Sequence, residues 1–224
     1  MLRLHQISTG FSHKSQLKCL QTDINIDFNA GTIALLLGRN GVGKSVFLRT
    51  VMGIHKPISG EVFINNQNIH SLKSDKRASL ISLMLSTPPQ VELLTAIEVA
   101  CSSIKHTNEA ENQAQKWFKE LNIENLTQKS FGQCSDGEKQ KIMLTRCLLQ
   151  NTPVILMDEP TAFLDYPAKI HFWKTLKSIA PTKIIIVSTH DIDTALPNAT
   201  HLIHLKNQNA TISNDPLLFN LNLL

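Results

Sequence analysis

The sequence predicts an α/β fold: a mainly parallel sheet with helices on its faces, an antiparallel β portion near the start, and a helical lobe set into the middle. Three observations carry this. Apolar runs of strand length, IALLL (33–37), LISLML (80–85), VILM (154–157) and KIIIV (183–187), recur, each followed by a loop and a helical pattern. Runs without polar alternation are those of strands covered on both faces, and their alternation with helices implies parallel pairing. Before and between them lie shorter β-like stretches, and from about Thr87 to Leu149 the pattern is helical with no convincing strand.

The elements follow in order. LRLHQI near the N-terminus and Ile24 to Phe28 read as strands, and EVFINNQNI reads as a strand pair turning at Asn65-Asn66. IALLL leads through glycines into a helix from Lys44 to Met52. In the helical stretch, Thr95 and Glu98 form a capping-box pattern for a helix through Ile104, Asn108 to Leu121 reads as a second helix, and Gly137 to Leu149 as a third. CSDGEKQ opens that third helix, with Ser135 and Glu138 again at capping-box spacing. The asparagine-rich end, KNQNATISNDPLLFNLNLL, carries a hairpin and a terminal helix at most. With no internal repeat, residues 1–224 are read as a single domain with a helical lobe at about 87–149.

Composition narrows the function. The 42% hydrophobic content suits an ordinary globular core, and the longest apolar runs are too short to span a bilayer. The net charge of +4 comes from scattered basic residues, which suits an anionic ligand or a membrane surface. Cys19, Cys101, Cys134 and Cys147 are isolated, with no histidine at zinc-ligand spacing, so neither a disulfide framework nor a metal site is indicated and a reducing compartment is the default.

GRNGVGKS (38–45) fits the G-x-x-x-x-G-K-[ST] phosphate-loop pattern, and it lies where that pattern works, between an apolar strand and a helix. Gly38, Gly41 and Gly43 let the backbone of Gly38, Arg39, Asn40, Gly41, Val42 and Gly43 wrap a phosphate with N–H groups inward. Lys44 supplies a point charge for the β- and γ-phosphates and Ser45 a hydroxyl for Mg²⁺. A bare glycine turn has no need of a lysine and a hydroxyl at those offsets.

VILMDEP sets Asp158 and Glu159 at the tip of an apolar strand, where ligands of parallel sheets gather. Two carboxylates beside a polyphosphate need a cation between, so Asp158 is the expected Mg²⁺ partner and Glu159 the base that orients or deprotonates water. The bland reading is a solvated acidic turn ended by Pro160. KIIIVSTHD ends likewise, with His190 just past the strand; by itself such a histidine is an ordinary loop residue. CSDGEKQ stays open between a helix cap and an anion contact, because a helix N-terminus offers unpaired N–H groups to either.

Together these pieces resemble the ATP-binding subunit of an ABC transporter over nearly the whole chain, from Leu2 to about Pro216. GRNGVGKS looks like its phosphate loop, CSDGE like its LSGGQ signature, ILMDEP like its second nucleotide motif, AFLD (162–165) like its D-loop, and STHD carries its switch histidine. The resemblance implies a P-loop NTPase fold that hydrolyses ATP with Mg²⁺. It assigns Lys44, Glu159 and His190 to catalysis, Ser45 and Asp158 to the metal, Phe11 to stacking on adenine, Asp165 to the D-loop, and Ser135 and Gly137 to the nucleotide held by a second subunit.

The resemblance further implies a second ATP-binding subunit, expected as a homodimer, integral membrane permease subunits, a substrate-binding protein, no nucleic-acid partner, and a place on the cytoplasmic membrane face. The wording ISLMLSTPPQVELLTAIEVA resembles importers of iron-siderophore complexes, haem and cobalamin. The alternatives are an exporter of the same family, or a soluble relative acting in DNA repair or translation. Two departures stand out. The signature has Cys134, Asp136 and Glu138 where the family commonly has leucine, glycine and glutamine. At the Q-loop, Ser86 ends the strand and Gln90 follows four residues later, so either can take the role.

Overall fold

A computed structural model of the chain describes residues 1–13 and 16–216, with side chains except those of 12–17. Two sheets form. β1 (Leu2–His13), β2 (Gln16–Phe28), β4 (Ser59–Ile64) and β5 (Gln67–Asn68) make an antiparallel sheet in the order β2-β1-β4-β5. The larger sheet comprises β3 (Thr32–Leu37), β6 (Ile81–Met84), β7 (Val154–Asp158), β8 (Ile184–Ser188), β9 (His201–Lys206) and β10 (Asn209–Ser213), in the order β10-β9-β3-β8-β7-β6. Pairing is parallel from β9 to β6, and β10 returns antiparallel on β9, so the hairpin expected in the tail is present. The stretch where a terminal helix was expected, 217–224, lies outside the described residues.

Strand pleat explains how one sheet supports two cores. Ile33, Leu35, Leu37, Ile155, Met157, Ile185 and Val187 face one side, where they pack with the helices α3 (Ala96–Cys101), α4 (Asn108–Glu120), α5 (Asp136–Leu149) and α6 (Tyr166–Ile179). Ala34, Leu36, Val154, Leu156, Ile184 and Ile186 point the other way, onto α1 (Lys44–Val51) and the antiparallel sheet. With every β3 residue buried, Leu35→Ala or Leu36→Ala each costs about 2–5 kcal/mol. Two further helices, α2 (Ser74–Ala78) and α7 (Ile192–Ala195), are short connectors.

The capping boxes at Thr95/Glu98 and Ser135/Glu138 are formed as their spacing requires. The first of these helices stops at Cys101 instead of Ile104, where Ser102 Oγ bonds back to the Val99 carbonyl and Ser103 Oγ to that of Arg146. Asn65 and Asn66 adopt positive φ values of 49° and 64°, as a tight hairpin turn needs. β1 and β2 are much longer than the predicted stretches. Register shifts between Leu4 and Gly10, with Gln6 at φ 50°, break the period-2 pattern that would have marked them as continuous. The extra length carries Phe11 and Leu20 to the cleft that residues 39–41 and 43–46 line.

Candidate active site

In a parallel sheet the C-terminal strand ends lie on one edge, and the adjacency of β3, β8 and β7 sets three loops side by side. A cleft of about 420 Å³ opens there, lined by Arg39, Asn40, Gly41, Gly43, Lys44 and Ser45 from the phosphate loop, with Asp158, Glu159 and His190 opposite and Phe11, Leu20 and Ser86 at its margins.

The loop conformation depends on positive φ at Gly38, Gly41 and Gly43. At Gly43, φ is 112°, a conformation that strains any side chain, and an added Cβ would come within 2.8 Å of Leu20 Cδ1, which would have to move aside. Val42 drops its side chain into the core below. Its carbonyl accepts from Gln21 Nε2, and Gln21 Oε1 accepts from Thr9 Oγ1. Gln21 is fully buried and props the loop from β2, a role no motif announced.

Lys44 Nζ donates to the Gly38 carbonyl at 2.8 Å and contacts His190 Nε2 at 3.0 Å. An ammonium only donates, so the histidine nitrogen accepts and the ring proton sits on Nδ1. That nitrogen then has no proton for Glu159 Oε1, 3.3 Å away, and Glu159 Oε1 is buried without a hydrogen-bond partner among the described residues. Glu159 Oε2 accepts from the His190 backbone N–H at 3.2 Å. Burial lowers the Lys44 pKa, against the opposing pull of Glu159 and Asp158.

Asp158, 5% exposed, is fixed by Ser188 Oγ, which donates to its Oδ1 at 2.6 Å. The same hydroxyl accepts from the Glu159 N–H at 3.1 Å. Ser188 faces Asp158 in the β7–β8 register, so a hydroxyl at the second strand tip was the signal for this support. Glu159 itself adopts φ 50°, an uncommon value for a residue with a side chain. Next to His190, Asp191 is held by Lys169 Nζ at 2.9 Å and Thr194 Oγ1 at 2.9 Å. Burial pushes the Asp191 carboxyl up, but those bonds outweigh it and the net shift is downward.

The donor set suits Mg²⁺. Among the described residues no cluster of three or more His, Cys, Asp or Glu is arranged to hold a metal ion. Mg²⁺ beside phosphates takes one carboxylate and a hydroxyl and fills its other positions with water and substrate oxygens, and Asp158 and Ser45 on one cleft supply such a pair.

Phe11 lies on the cleft wall, 43% exposed, with Lys18 Nζ 5.9 Å from its ring centroid. Of the two Q-loop candidates, Ser86 lines the cleft, whereas Gln90 lines a neighbouring one with Glu92, Asp136, Lys139 and Phe163. Ser135, Gly137 and Asp165 do not join the site. Ser135 Oγ accepts from Glu138 N–H while its own N–H bonds Glu138 Oε2, and Asp165 caps α6 by accepting from Ala168 N–H. Gly137 packs so closely on the D-loop segment that a Cβ would sit 3.0 Å from the Phe163 carbonyl oxygen.

With this geometry, the chain is an ATP-binding cassette of the P-loop class. A family model described as ABC transporter matches residues 21–162, and the chain belongs to the ABC transporter family, as an ATP-hydrolysing subunit. It is 32% identical over 217 residues to an uncharacterized ABC transporter ATP-binding protein of Methanocaldococcus jannaschii, covering 92% of this chain and 73% of that one. An iron(3+)-hydroxamate import ATP-binding protein of Bacillus subtilis is 26% identical, over 92% and 78% of the two chains. Other relatives are named for zinc or spermidine/putrescine import. Among solved structures, a dimeric ATP-binding cassette bound to ADP and Pi superposes with a TM-score of 0.85 at 25% identity, over 96% of this chain and 98% of that one.

Proposed function

We propose that the chain is one of two ATP-hydrolysing subunits, expected to be identical, that drive import through integral membrane permease subunits. One placement carries this reading: Lys44, Ser45, Asp158, Glu159 and His190 share a cleft, while Ser135 and Gly137 open a helix elsewhere on the same chain. A second copy brings its helix start to the first copy's phosphates, and each of the two ATP molecules is held between both chains. Binding closes the pair and hydrolysis reopens it, a ligand-driven shift between two states.

Lys44 binds the β- and γ-phosphates, the phosphate-loop N–H groups cradle them, and Phe11 stacks on the adenine. Glu159 takes the proton of the attacking water or orients it, with His190 fixing the γ-phosphate side. When bound, Mg²⁺ held by Ser45 and Asp158 neutralises charge that develops on the phosphates. Asp165 acts from the D-loop at the dimer face, and Ser86 occupies the Q-loop position.

Among the described residues no helix is long and apolar enough to cross a membrane. The work is passed to a permease from the cytoplasmic face, a reading supported by the import ATP-binding proteins among the relatives. Its docking surface is the segment after β6, where Leu85, Leu93 and Leu94 are exposed. The cargo is an iron chelate, haem or a cobalamin-like compound delivered by a substrate-binding protein, a reading supported by the wording of residues 81–100 and by the iron-hydroxamate relative. The test is to purify the tagged chain from membranes, identify the hydrophobic protein that accompanies it, and measure ATP-dependent uptake of ferric chelates by vesicles holding the complex. Recovery with ribosomes or DNA and no permease, or uptake of zinc in place of chelate, rejects the corresponding part.

A further inference from the structure

Gln140, on α5 five residues beyond the Ser135 cap, is 1% exposed. Its Nε2 donates to the Glu159 main-chain carbonyl at 3.3 Å, and its Oε1 has no hydrogen-bond partner among the described residues. The residue borders a small cavity that Leu144, Pro160, Leu164, Ala168 and Phe172 line together with Lys141 and His171, a mainly apolar setting that an isosteric methionine would fill at less cost. A buried polar side chain that leaves one atom unpaired is poorly explained by stability. Its one bond goes to the residue whose backbone is strained into positive φ.

We infer that Gln140 is a positioning residue for ATP hydrolysis: its amide holds the Glu159 carbonyl, and so the left-handed turn that aims the Glu159 carboxylate into the cleft. The same bond couples two places. The N-terminus of α5 carries Ser135 and Gly137, which in the proposed dimer touch the nucleotide of the partner, and only about 7.5 Å of helix separates Ser135 from Gln140 along the axis. A shift of α5 on engaging that nucleotide is thus delivered to the base of the chain's own site. The inference rests on the proposed role of Glu159 as base and adds to it.

The test compares Gln140→Met with Glu159→Gln in the full chain, reading kcat and KM for MgATP, nucleotide affinity and the thermal midpoint. Methionine keeps length and packing and removes both the bond and the unpaired acceptor. The expected result is a kcat at least about tenfold lower, KM and affinity within about threefold, and a midpoint equal to or above the parent. Midpoint and kcat falling together, or failure to fold, makes Gln140 structural and overturns the inference. Parent kcat in Gln140→Met with an inactive Glu159→Gln overturns it too, while leaving the base assignment intact. Parent activity in Glu159→Gln removes the base assignment itself, and the inference with it. In the double variant, a residual rate within about twofold of Glu159→Gln supports action through Glu159, and a further tenfold drop shows that Gln140 acts elsewhere.

Discussion

Lys44 Nζ and His190 Nε2 stand 3.0 Å apart, joining the first residue of α1 to the loop after β8 across 146 positions of sequence. The ammonium proposed to bind phosphate therefore also orients the histidine ring. Its two contacts, to His190 and to the Gly38 carbonyl, keep it at the loop centre and in place for an anion.

Removing that cation should weaken binding before anything else. Lys44→Ala is expected to lower ATP affinity about 10- to 100-fold, the scale of one charge-assisted hydrogen bond, measured by equilibrium titration. His190→Ala leaves the ammonium on Gly38, so affinity is expected to stay within about threefold while kcat falls. An unchanged affinity in Lys44→Ala contradicts the phosphate-loop assignment.

For Glu159, an isosteric amide keeps the backbone turn and removes the base. Glu159→Gln is expected to bind MgATP normally and to hydrolyse it about 10²- to 10⁴-fold more slowly. The bound nucleotide then accumulates between two chains, which size-exclusion chromatography with ATP detects as a dimer. Turnover at the parent rate shows that another group activates the water.

Phe11 offers its ring at the cleft margin. Base stacking on an aromatic is worth about 1–3 kcal/mol, so Phe11→Ala should weaken ATP about 5- to 160-fold, and Phe11→Trp should retain affinity. If tripolyphosphate binding suffers as much as ATP binding, the ring supports the loop and not the base.

The Ser135 cap ties function to acidity. Glu138 is held below the ordinary carboxylate range first by Lys129, whose Nζ lies 2.9 Å from Oε2, and then by the Ser135 N–H. Because the folded pKa lies below the unfolded one, this stabilisation is complete above the ordinary carboxylate pKa of about 4.3 and fades as pH falls through the folded value. Lys129→Met should raise the Glu138 pKa toward its unfolded value, so it is expected to cost stability at pH 7 and to flatten the loss of stability on acidification, seen in urea melts between pH 7 and pH 3. Ser135→Ala should cost about 1 kcal/mol of stability and reduce dimer turnover more than monomer binding. Equal loss of both makes Ser135 a cap and nothing more.

The sequence by itself determined the elements that depend on neighbours along the chain. GRNGVGKS needs only a strand before it and a helix after it. The capping boxes at Thr95 and Ser135 close within four residues, the Asn65-Asn66 turn within two, and the unbroken apolar runs declare strands covered on both sides. What the tertiary structure decided was everything set by strand order. β8 lies between β3 and β7, which brings His190 to Lys44 and Ser188 to Asp158, while β6 beside β7 ends close enough to set Ser86 instead of Gln90 in the cleft. Gln21 and Gln140 were invisible for the same reason. Each is a buried amide whose partner, the Val42 or the Glu159 carbonyl, is a main-chain atom, and a main-chain carbonyl looks alike in every residue. Side-chain pattern records which faces are covered; it does not record which backbone group a distant strand or helix will present to a lone polar side chain once the sheet has closed.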